Sequence, residues 1–201
     1  MAAQPRSQST LTDRLPLVSG AVAGVVTFLL GYALTFLLKA GEVSELLTRS
    51  LGDTGGSGLS LPGDWQVVGW FFFQMHNVGT RTQISAGGQS QTGTTTGSVE
   101  TWMLLIPIVL LFLAGFAVAR RANVRETIAG AQAGAVVLVG YVVLAVAFAF
   151  LTTWTAGASG FGADVTISIG PPLVTGILTA GILYPLVLGA LGGAFAASTA
   201  G

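Results

Sequence analysis

Residues 67–81 read VVGWFFFQMHNVGTR and contain the only histidine of the chain, His76. Imidazole is the one side chain whose unperturbed charge change falls between about pH 5 and 8. Gln74, Asn77 and Arg81 stand within five positions of it, and Trp70 and Phe72 precede it within six. Hydrogen-bonding groups and aromatic surface thus surround one titratable ring, a set suited to sensing pH or contacting a ligand. A lone histidine beside aromatic surface also suits a plainer role, that of a hydrogen-bonded structural residue. The sequence leaves both readings open. Metal binding fits poorly, because there is no cysteine, no second histidine and no recognisable spacing among the carboxylates; neither a metal nor another cofactor is expected. No phosphate loop, paired nucleophile and base, or acidic pair within an apolar run is present. The chain does not read as an enzyme.

The elements that must position these residues are apolar. Of 201 residues, 52% are hydrophobic and only 8% charged, with a mean hydropathy of +0.77. A soluble domain carries about a quarter charged residues, so this composition indicates an integral membrane protein. Four runs, 17–38, 102–119, 128–154 and 171–197, contain no Asp, Glu, Lys, Arg or His. At about 1.5 Å per residue each can cross a hydrocarbon layer about 30 Å thick. Runs this long satisfy their own backbone hydrogen bonds as helices rather than as barrel strands. The first follows Arg6 and Arg14 like a signal peptide. Its 22 apolar residues and the lack of a small-x-small cleavage site make it a retained helix. The expected class is all-α: four transmembrane helices, plus a short outer amphipathic helix over 65–78 lying on the outer end of the bundle.

With the N-terminal tail 1–16 cytoplasmic, inside segments hold Arg6, Arg14, Arg120, Arg121 and Arg125, and outside segments hold Lys39, Arg49 and Arg81. The cluster in the 120–127 connection makes this the favoured orientation. Segments 39–101 and 155–170 are then outside, the tail 198–201 is inside, and the protein belongs in a cell membrane. Residues 52–64 read as a Gly/Ser-rich connection, and 82–98, with Gly-Gly at the centre, as a flexible loop or a weak exposed hairpin. Zero net charge gives no argument for nucleic acid.

The two halves resemble each other. GAVAG (20–24) precedes Gly31-Tyr32, and GAQAG (130–134) precedes Gly140-Tyr141; Pro107 precedes Gly115 by eight residues, as Pro185 precedes Gly193. Two helical hairpins running the same way would form a parallel repeat about an axis along the membrane normal. Gly20, Gly24, Gly115, Gly130, Gly134, Gly189 and Gly193 follow small-xxx-small spacing, which permits close helix approach where lipid supplies no hydrophobic drive. All fall in the cytoplasmic halves of their helices, so a bundle tight at that end and wider outside is expected. Tyr32, Gln132, Tyr141 and Tyr184, with Thr27, Thr35 and Thr179, are the candidate polar groups inside the apolar runs.

GAVAG with Gly31-Tyr32, GWFFFQMH (69–76) and YPLVLGALGG (184–193) together resemble a group of small, uncharacterised haloarchaeal membrane proteins, some of which carry a transporter label. The likeness runs from Pro16 onward and is most specific at Gly69, Trp70, Phe72 and His76. Where that group has Tyr followed by Asn-Ala, this chain has Phe73-Gln74-Met75. The resemblance implies four membrane helices in an archaeal membrane and no particular reaction. The expected role is a structural or accessory subunit contacting membrane lipids and either a second copy or a partner membrane protein. The alternative is a small transporter or channel for a neutral solute, its path lined by the polar groups above.

Overall fold

The structure is a computed structural model and describes residues 16–53, 60–96, 99–160 and 163–200. The N-terminal tail up to residue 15, with Arg6 and Arg14, and residues 54–59 of the Gly/Ser connection lie outside the described residues. All four apolar runs form helices long and apolar enough to cross a membrane: Leu17–Ser50, Thr101–Arg121, Thr127–Leu151 and Leu173–Ser198. In chain order these are α1 (Leu17–Asp53), a 3₁₀ turn (Thr101–Leu104) leading into α3 (Leu105–Arg121), the pair α4 (Thr127–Ala135) and α5 (Val137–Leu151), and α6 (Leu173–Gly176) continuing through a π-helical stretch (Ile177–Leu183) into α7 (Tyr184–Ser198). Helix α1 does not stop at Leu38. It runs on to Asp53 because the following KAGEVSELLTRS keeps helical character, with an i,i+4 ion pair between Glu45 and Arg49.

At one end of the bundle α7 approaches α3 and α4, and α1 approaches the start of α5, through small residues. A methyl group on Gly115 or Gly134 would collide with the carbonyl oxygen of Gly189, and one on Gly193 with that of Gly130. Helices α3, α4 and α7 therefore touch backbone to backbone. Gly24 of α1 meets the Val137 carbonyl, and Gly20 meets the Val136 side chain. Gly140, the glycine of the Gly140-Tyr141 pair, and Gly192 are equally close to Ala21 and Phe112. The equivalent motifs GAVAG and GAQAG thus face different partners: the first packs on the start of α5, the second on α7.

The opposite end carries a sheet, and the all-α expectation is corrected there. Strands β1 (Thr80–Ala86) and β2 (Gln89–Thr95) form a hairpin whose turn residues, Gly87 and Gly88, both have positive φ. Two-residue turns of this kind match strand twist and favour glycine. Strands β3 (Trp154–Gly160) and β4 (Ala163–Gly170) form a second hairpin, and β1 pairs with β4 from Arg81↔Gly170 to Ala86↔Val165. Trp154, expected at the end of the third helix, instead begins β3. The order β2-β1-β4-β3 is not that of two hairpins related by a two-fold axis, which would put β1 beside β3 or β2 beside β4. The parallel repeat does not extend to the sheet. What joins the two halves is the non-local β1–β4 ladder.

Candidate functional site

Helix α2 (Asp64–Gln74) brings the histidine stretch into the bundle. Its first turn is organised by the Gln66 side chain, which accepts a hydrogen bond from the Gly63 backbone N–H at 3.0 Å. The expectation of a helix over 65–78 resting on the outer end is corrected twice. The helix ends at Gln74, and Val68, Gly69, Phe71, Phe72, Phe73 and Gln74 are all buried. Aromatic residues on every side of a helix require cover on every side. The segment accordingly inserts between α1 and the end of α5 and fills the wider end. Gly69 lies against the Thr152 side chain so closely that a methyl group would collide, and Trp70 Nε1 donates to the Thr152 carbonyl at 2.7 Å. Tyr32 donates to the Trp65 carbonyl at 2.9 Å from the α1 side.

The chain then reverses. Val78 N–H bonds the Phe73 carbonyl and Asn77 N–H the Gln74 carbonyl, with Asn77 at φ 57°: a Schellman-type stop with Asn in the left-handed position. Asn123 ends α3 in the same way, with φ 53°. The first stop lies deep in the bundle and aims His76 at α5 and α7. His76 is fully buried, with its Nδ1 2.8 Å from the Phe72 carbonyl oxygen and its Nε2 2.7 Å from the Tyr141 hydroxyl. A carbonyl only accepts, so Nδ1 carries the proton and Nε2 accepts from Tyr141. The ring is a neutral imidazole with both nitrogens engaged. Phe72 stacks edge-on against His76 at 4.9 Å and against Phe28 at the same distance, and the Tyr184 ring lies 5.1 Å from His76. Asn77 Nδ2 donates to the Tyr184 hydroxyl at 2.6 Å.

Tyr141 and Tyr184 stand midway along Thr127–Leu151 and Leu173–Ser198, so the site is at half height in the bundle. Tyr184 also ends the π-helical stretch: its N–H bonds the Thr179 carbonyl, five residues back. Pro185 follows and has no N–H to offer Gly181, which removes one α-type bond just where the wider spiral occurs. π-Helical turns are rare and concentrate at functional sites.

Of the residues singled out from sequence, Trp70, Phe72, Gln74, His76, Asn77, Tyr32, Tyr141 and Tyr184 gather in and around α2. Gln74 donates to the Thr80 hydroxyl at 2.9 Å. Arg81 belongs elsewhere: it is exposed in β1, donates to Gln83 at 3.3 Å and lines a separate cavity of about 160 Å³ with Thr153 and Ser168. Gln132 is exposed on α4 at the glycine end and faces away from the site. A second cluster escaped sequence reasoning. Lys39, 4% exposed, holds Glu42 at 2.6 Å and Glu100 at 2.9 Å and lies 5.3 Å from the centre of the Phe71 ring. It ties α1, α2 and the start of α3 together, and Glu100, 61 positions from Lys39, gave no local signal. Among the described residues no group of three metal-ligating side chains occurs.

These features define a bundle of four potential membrane-spanning helices with an inserted, reversing half-length helix and a small sheet at one end. The chain belongs to a family of unknown function (DUF7978), which it matches over residues 1–200. No curated protein and no solved structure matches it.

Proposed function

We propose that this chain is a non-catalytic integral membrane subunit that anchors its sheet at the membrane surface and packs with a second copy or a partner membrane protein. The observation that carries this reading is the filled centre. His76 and Tyr141 are 0% and 1% exposed, and every buried polar side-chain atom among the described residues has a partner. A reversing segment at half height is tolerable where protein covers it; Met75, His76 and Val78 are covered in this way, while the Asn77 side chain at the turn stays exposed. Arg120, Arg121 and Arg125 lie at the end opposite the sheet, which supports cytoplasmic termini and an external sheet. The resemblance to haloarchaeal proteins supports an archaeal cell membrane as the setting.

A second reading, a carrier for a neutral solute, is favoured by one observation. The π-helical stretch ends at Tyr184, beside the reversal at Asn77, and such irregularities provide alternative helix registers. Purified protein reconstituted into liposomes separates the two. The subunit reading expects uptake of small neutral solutes at the background of empty liposomes, and a stable homo- or hetero-oligomer on mild extraction. Solute uptake that changes in Tyr141→Phe would replace it with the carrier.

A further inference from the structure

We infer that the groove between α3 and α7 holds one membrane amphiphile with an uncharged head group, drawn from the leaflet on the sheet side. The starting point is Asn77. Its side chain is exposed, although its partner Tyr184 lies midway along a span of 26 residues. An uncovered amide at the depth of hydrocarbon is costly unless something hydrogen-bonds it. The amide nitrogen has two hydrogens. Tyr184 takes one, and the other is available to an oxygen from outside the chain.

Two cavities border this hydrogen bond, one lined by Asn77 and the other by Tyr184. Toward the sheet, a cavity of about 330 Å³ has a mixed lining, with Gln74, Asn77, Thr96 and Thr101 as its polar side chains and Val78, Val99 and Leu104 as its apolar ones. Toward the middle of the helices, a groove of about 380 Å³ is lined by Ile108, Leu183, Tyr184, Val187 and Leu188. Leu104, the last residue of the 3₁₀ turn, and Ile108 of α3 are one turn apart, so the two spaces stack along the helix axis. Each lies within the range of about 300–1,000 Å³ common for small-molecule sites.

Space with hydrogen-bonding side chains toward the surface and almost wholly apolar space toward the centre is the order of head and tail in a lipid of that leaflet. Among the described residues neither lining contains a charged side chain, so nothing there compensates a phosphate or an ammonium. Asn77 N–H and the threonine hydroxyls instead suit hydroxyl, ester or ether oxygens. A single hydrocarbon chain then lies over Ile108 and Val187, whose exposures are 37% and 44%. This inference rests on the chain spanning a membrane but is indifferent to whether it is a subunit or a carrier.

The test uses the full chain in detergent micelles with a monoacylglycerol carrying a photoactivatable diazirine in its chain. Crosslinks are expected on peptides containing Ile108 and Leu183–Val187, displaced by unlabelled monoacylglycerol but not by lysophosphatidylglycerol. Val187→Trp, which fills the groove, should lower labelling about tenfold. Val143→Trp, on an exposed position of α5, should leave it unchanged. Asn77→Gly keeps the left-handed backbone and should abolish the preference for the neutral head. Labelling spread evenly over all four helices, or equal displacement by the anionic lipid, would overturn the proposal. So would undiminished labelling in both Val187→Trp and Leu183→Trp proteins of normal melting temperature.

Discussion

At the scale of single residues, the most demanding arrangement is the one around His76. A buried imidazole with one acceptor partner and one donor partner is stable as a neutral ring. Removing the Tyr141 hydroxyl leaves Nε2 facing aromatic surface without a donor. A buried orphan of this kind costs about 1–3 kcal/mol, so Tyr141→Phe should lower the thermal unfolding midpoint in detergent by several degrees. A midpoint equal to that of the parent protein would mean the bond is not made. The Lys39 cluster makes a pH-dependent prediction. The hydrogen bond from Lys39 holds the Glu100 carboxyl below its usual range. A carboxyl depressed in the folded state contributes stability above its unfolded pKa of about 4.3, and that contribution is lost as pH falls through the folded value. Glu100 is half exposed, so the effect is small. Glu100→Gln should therefore melt slightly below the parent at pH 7 and alongside it at pH 3. A difference that persists at pH 3 would assign the effect to something other than charge.

Among the elements, the glycine end and α2 behave in opposite ways. Helices α3, α4 and α7 approach so closely that their contact is backbone on backbone, and side chains have no room to yield. Gly134→Leu should force the helices apart and cost several kcal/mol, in line with the upper range for overpacking, read as loss of monodisperse folded protein on gel filtration. Gly41 is the control within α1. Nothing lies within 4 Å of a methyl group placed there, so Gly41→Ala should gain up to about 1 kcal/mol from helix propensity alone. Equal outcomes at the two positions would remove the case for a seam. The spacing of the seam glycines is visible in the sequence because small residues at i and i+4 share a helix face. The insertion of α2 is only half visible. Aromatic residues all round its circumference signal that it is covered, but not by what, since its cover comes from Phe28, Tyr141 and Thr152, contributed by distant parts of the chain.

For the whole molecule, the sheet sets the relation between the two halves, and its sidedness can be tested directly. The chain has no cysteine, so single substitutions report cleanly. On the proposed topology, Thr92→Cys in β2 should react with an impermeant maleimide on intact cells, and Ala122→Cys between α3 and α4 only after permeabilisation. The reverse pattern would invert the orientation. The β4 strand was written in the sequence as the alternation of Val165, Ile167 and Ile169 with Thr166 and Ser168, a period of two masked by the Gly-rich neighbours that made the segment read as loop. The β1–β2 turn was more open to view, because Gly87-Gly88 sits at the centre of a polar stretch, with Gln83 and Ser85 before it and Gln89, Ser90 and Gln91 after it.

Composition and periodicity by themselves determined the four helices and the glycine faces. Burial of a long apolar run, and the width of the side chain on a helix face, are properties of neighbouring residues in the chain. Only the tertiary structure decided that α2 inserts and turns back at Asn77, that His76 meets Tyr141, that Lys39 meets Glu100 and that β1 pairs with β4. Each of these joins residues from well-separated segments of the chain. Their energy comes from desolvated hydrogen bonds and packing whose partners exist only once the helices have assembled.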